Sequence, residues 1–138
     1  RVLALDVGEK RIGVALSDPT GLLATPLTTI ARRGVPSDFD QVLRFAAERE
    51  VDEIIVGLPI SLSGRREVQA KRVAEFIEGL AERTTLPITS VDERYSSVQA
   101  ERMIRETGAK PSRDRARVDA AAAAVILQSF LDSRRSNA

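Results

Sequence analysis

The chain has 138 residues, 43% hydrophobic and 30% charged, with a formal net charge of +1 and neither His nor Cys. That size and balance suit one soluble globular domain, and no apolar run approaches the roughly 18 residues of a membrane-spanning helix. Without His and Cys, the usual zinc ligands, the Ser-His-Asp triad, thiol nucleophiles and disulfides are excluded, so carboxylates holding a hard cation such as magnesium are the economical chemistry.

Residues 2–7 form an apolar run that carries one acid, Asp6, and read as a buried strand. Gly8-Glu9-Lys10 is a short turn, and residues 11–17 are expected to pair back as a hairpin. Asp18-Pro19-Thr20-Gly21 signals another turn, after which Leu22 to Ile30 makes a third strand of an antiparallel meander. The period then changes: Phe39, Val42, Leu43, Ala46 and Ala47 share a helical face, with Ser37 or Asp38 as N-cap. Glu53 to Gly57 is a short apolar strand of the doubly buried kind. Ala70, Val73, Ala74, Ile77, Leu80 and Ala81 mark a second helix, and Pro87 to Val91 a fifth strand. Ser96 and Gln99 form a capping-box pattern that opens a third helix, ended by Gly108 and Pro111. A last helix is expected from about Val118 to Leu131, with a frayed polar tail over 132–138. The order β-β-β-α-β-α-β-α-α predicts an α/β domain over 1–138, a mixed five-stranded sheet with helices on both faces.

Four features can carry chemistry. Asp6 ends a strand expected to be central, where an acid is costly unless paired or metal-bound; it could also simply cap the following turn. Gly8 is equally open, because any tight hairpin turn could require it. Asp92-Glu93-Arg94 follows the fifth strand, and parallel α/β sheets gather ligands at the carboxyl ends of their strands; a solvated acidic pair with a surface Arg is the alternative. Asp119 lies at a helix start, where the dipole alone favours an acid. Ahead of it, Lys110, Arg113, Arg115 and Arg117 against Asp114 give a basic segment beside a candidate metal ligand. Gly57-Leu58-Pro59, opening into Ser61-Leu62-Ser63-Gly64-Arg65-Arg66, is a candidate substrate-facing loop or a plain connection. Four Phe and one Tyr are too few for a base-stacking single-strand binder. Three acids with basic segments beside them fit two-metal phosphodiester hydrolysis.

The stretches Asp6–Ala15, Ile55–Pro59, Val91–Ser97 and Val118–Ala123 together resemble, in order, the motifs of the YqgF/RuvX family. The resemblance implies a ribonuclease H-like fold related to the RuvC type of Holliday-junction resolvase, in a bacterial cytoplasmic protein. It implies a catalytic, metal-holding triad of Asp6, Glu93 and Asp119, with two magnesium or manganese ions bridged by Asp6. It implies a nuclease for the 5′ end of precursor 16S ribosomal RNA, or alternatively a resolvase of four-way DNA; a non-catalytic nucleic-acid-binding protein is a further alternative. The partner is then nucleic acid, structured RNA or branched DNA, with no membrane, and the chain a monomer or homodimer. Lys10, Arg11, Arg94, Lys110, Arg113, Arg115 and Arg117 are the expected nucleic-acid contacts, with Gly8, Gly57, Pro59 and Ser61 near the site. Ser61 and Ser63 depart from the Asn and Asp usual in the family's loop, which leaves the role of Ser61 open.

Overall fold

Strands of alternating parity build the sheet, and one side of each strand meets a different set of helices. The computed structural model describes residues 1–59, 65–92 and 115–136. They form β1 (Val2–Val7), β2 (Arg11–Ser17), β3 (Ala24–Ala31), α1 (Ser37–Glu48), β4 (Glu53–Leu58), α2 (Arg65–Ala81), β5 (Ile88–Asp92) and α3 (Arg115–Ser136). The sheet order is β3-β2-β1-β4-β5. β2 runs antiparallel to β1 and β3, whereas β1, β4 and β5 are mutually parallel. β1 is therefore central, as its apolar run predicts, and the carboxyl ends of β1, β4 and β5 lie along one edge. β5 points the same way as β1 but sits at the border of the sheet, with β4 between them.

Leu3, Leu5, Val7, Ile12, Val14, Ile54 and Val56 face α1 and α2, and pack against Phe39, Val42, Ala46, Val73, Phe76 and Leu80. The opposite parity, Val2, Ala4, Ala15 and Ile55, faces Ala123, Ala124, Ile126, Leu127 and Leu131 of α3. Small residues on both partners let α3 lie close to the sheet. Each buried Leu, Ile or Val side chain contributes roughly 1.5–3 kcal/mol of transfer free energy, so two opposed cores fix β1 from both sides.

Three details differ from the sequence expectation. Neither Ser37 nor Asp38 caps α1: Pro36 holds the N-cap position with no side-chain cap bond. Asp38 is fully buried and turns back instead, accepting from the backbone N–H of Arg33 (2.9 Å) and Gly34 (3.3 Å) and from Arg32 Nε (3.1 Å). The last helix starts at Arg115, so Arg115 and Arg117 belong to its first turn rather than to a loop. Its end runs past Leu131 to Ser136, where Arg134 bonds both carboxylate oxygens of Glu53 (2.9 Å each) and Ser136 Oγ donates to the Asp132 carbonyl (3.1 Å). The predicted helix over 96–108 lies outside the described residues.

Candidate functional site

Asp6 has the parity of Val2 and Ala4, so its half-buried side chain belongs to the α3 face at the carboxyl end of the central strand. Its cross-strand partner on β2 is Gly13. A Cβ built on Gly13 would stand 2.0 Å from the Asp119 carbonyl oxygen and 2.4 Å from the Asp119 carbonyl carbon. The missing side chain thus lets the backbone of α3 touch the sheet directly opposite Asp6, and that contact sets the height of Asp119. Glycine inside a strand signals such an approach. Gly13 is a site-building residue that the search for charged groups passes over.

The Asp119 carboxylate then leans along β2 toward the hairpin turn, where Arg11 Nε donates to its Oδ2 at 2.6 Å. Both side chains are partly screened, 36% exposed for Arg11 and 25% for Asp119. An ion pair of this exposure adds no more than about 1 kcal/mol, so its main effect is orientation. The first-turn explanation of Asp119 fails, since no acid occupies the first turn of α3. Arg11, expected to contact nucleic acid, also holds a carboxylate through its Nε.

The turn after Asp6 is held in part by Arg32, the residue that follows β3. Gly8 N donates to the Arg11 carbonyl (2.8 Å) and Arg32 N to the Lys10 carbonyl (2.9 Å), closing the hairpin. The Arg32 guanidinium donates to the Gly8 carbonyl (2.9 Å) and to buried Asp38, and lies over the Phe76 ring at 5.4 Å from its centroid. Asp38 and Arg32 therefore anchor the Asp6 turn, a long-range role that no local pattern marks. Asp38→Ala strands two N–H groups and a largely buried guanidinium; urea denaturation should show a loss of about 3 kcal/mol, whereas unchanged stability would remove Asp38 as the anchor.

Gly57 is buried on the α3 side of β4, in register with Val91 of β5, and Pro59 beyond it is buried. Lys10 is exposed at the tip of the turn. Glu93, Arg94, Ser61, Lys110 and Arg113 lie outside the described residues. Among the described residues no three acidic groups come together. Asp6 and Asp119, both on the α3 face of the sheet, are carboxylates, and their oxygens suit a hard divalent ion.

The RuvX family model, described as Holliday junction resolvase, matches residues 1–133. A protein of Chloroflexus aurantiacus (strain ATCC 29366 / DSM 635 / J-10-fl), named "Putative pre-16S rRNA nuclease", is 46% identical over 99% of this chain and 89% of its own. One of the same name from Roseiflexus sp. (strain RS-1) is 49% identical over 98% of this chain and 96% of its own. RuvC of T. thermophilus, solved in complex with Holliday junction substrate, superposes with a TM-score of 0.59 at 17% identity, covering 97% of this chain and 94% of that one. That likeness carries the ribonuclease H-like fold alone. With the family model spanning all five strands and most of the last helix, and close relatives aligned over nearly their full length, the chain belongs to the RuvX family.

Proposed function

We propose that this protein is a metal-dependent nuclease that hydrolyses phosphodiester bonds at the 5′ end of precursor 16S ribosomal RNA. The observation that carries the reading is the register of Asp6 with Gly13, where the Asp119 backbone touches the sheet, which puts two carboxylates on one face at the carboxyl end of the central strand. The names of the relatives favour the ribosomal substrate. Asp6, Asp119 and Glu93 would hold magnesium or manganese. When bound, such an ion supplies an activated water and neutralises charge on the phosphate.

The chain's own residues do the positioning. Gly13 sets the height of Asp119, and Arg11 aims its carboxylate. Arg32 and Asp38 hold the turn that follows Asp6. Lys10, exposed at the tip, meets phosphate oxygens, and such contacts position a strand without reading its bases. Arg94 would bind phosphate near the cut, and Lys110, Arg113, Arg115 and Arg117 would hold the flanking backbone.

A second reading, cleavage of four-way DNA, is favoured by the description of the family model. Offering precursor 16S RNA and a four-way DNA junction in parallel separates the two. The ribosomal reading expects 5′ shortening of the RNA and an intact junction; paired symmetric nicks in the junction with intact RNA would reverse the assignment.

A further inference from the structure

The β1–β2 turn and α2 face each other across an open trough beside the candidate site. Glu9, Lys10 and Arg11 form one wall and Val68, Gln69 and Arg72 the other, around a volume of about 830 Å³. A second hollow of about 310 Å³ shares Glu9, Gln69 and Arg72 and extends the trough to Gly8 and Arg32. Arg11 joins the trough to the carboxylate edge, because its guanidinium rests on Asp119. A strand lying in the trough therefore passes the Asp6 turn.

The charges on these walls are unequal in their commitments. Lys10 has no ion-pair partner among the described residues, and the Gln69 side chain has no hydrogen bond among them. Arg72 Nη1 bonds Glu9 Oε1 at 2.8 Å, with side chains 61% and 70% exposed. Exposed pairs of this kind add little to stability, so Arg72 can leave Glu9 at small cost. A phosphate offers it the stronger, two-pronged partner. Among the described residues no aromatic ring lines either hollow, so the groups they present recognise the backbone rather than the bases. The larger volume lies in the range of small-ligand clefts, about 300–1,000 Å³, enough to seat a short stretch of one strand.

We infer that this trough binds the sugar–phosphate backbone of a single-stranded segment leading to the cut, with Lys10 and Arg72 on phosphates and Glu9 as the internal group that phosphate displaces from Arg72. The inference rests on the nuclease reading and adds a path for the strand.

The sign of three substitutions tests it. A short fluorescein-labelled oligoribonucleotide of mixed sequence is titrated with the protein in chelator, by anisotropy at several salt concentrations. Arg72→Gln and Lys10→Gln should each weaken binding and flatten the logarithmic salt dependence by about 0.7, the value for one single-strand phosphate. Glu9→Gln should tighten binding, because it releases Arg72. If Arg72 serves only to hold Glu9, the Glu9 and Arg72 variants change together or not at all, and the inference falls. Equal sensitivity of a duplex of the same sequence to Arg72→Gln would also overturn it. Wild-type denaturation midpoints in the Arg72 and Glu9 variants show that the comparison concerns binding and not folding. Metal-dependent cleavage by wild type alongside unresponsive Arg72 and Glu9 variants rejects the trough alone, whereas wild-type cleavage by Asp6→Asn rejects the nuclease site itself.

Discussion

Asp6→Asn is expected to lower phosphodiester cleavage by about three to four orders of magnitude, at about 1.36 kcal/mol per tenfold, the several kcal/mol that a well-held metal contributes. The substitution keeps the shape of the side chain, and with it the Ala4 and Val2 packing that seats β1 against α3. What it removes is a negative oxygen at the end of the central strand. Nucleic-acid binding should stay unchanged or tighten slightly, since a negative charge beside the phosphate is gone. Single-turnover cleavage with magnesium or manganese, together with anisotropy in chelator, separates these effects. An Asp6→Asn protein that cleaves like wild type would place the chemistry elsewhere.

Gly13→Ala is the second large effect, and it reaches the site without touching any charged group. The new methyl group would meet the Asp119 backbone at 2.0 Å, well inside contact distance, and a carbonyl in the second turn of a helix cannot rotate away. Either β2 or α3 must shift. Overpacking of this kind costs about 1–3 kcal/mol. The same shift carries Asp119 out of line with Asp6, and a displacement near 1 Å can cost about 10²-fold in rate. Gly13→Ala should therefore fold with a lowered urea midpoint and cleave about a hundredfold more slowly, with kcat falling and KM nearly constant. Asp119→Asn in the same assay gives the reference for losing the carboxylate outright. Wild-type stability and rate in Gly13→Ala would mean that the close approach of α3 does not set the site.

How much of this was legible in the sequence depended on whether the signal was local. β1 and β4 are readable because their apolar runs are nearly continuous, and the hairpin of β1 and β2 follows from one short turn. Asp6 was visible as an acid at the end of such a run. The N-terminus of α1 was misread, because Ser37 and Asp38 satisfy the local capping rule while the Asp38 carboxylate is drawn backward by Arg32 and two backbone N–H groups. The start of α3 was placed late because clustered Arg residues suggested a loop, although Arg and Ala favour helix. Its end lies beyond Leu131 although Asp132 to Ser136 are polar, and the partner of Arg134 there, Glu53, lies on another element.

The parts of the site that escaped sequence reading share one cause: they are formed by residues far apart in the chain. Arg11 meets Asp119 across 108 residues and Arg72 meets Glu9 across 63. Arg32 reaches the Gly8 turn from just past β3. No window of sequence contains such pairs. Gly13 is the exception, since a glycine between Ile12 and Val14 within a strand is a local signal for close backbone approach.

The most direct test of the central claim is the fate of precursor 16S RNA incubated with the purified protein under manganese, magnesium or chelator, with its 5′ end mapped over time. The account predicts a shortened 5′ end with either metal, none with chelator, and none with Asp6→Asn. RNA that is bound yet uncut under all three conditions would contradict it.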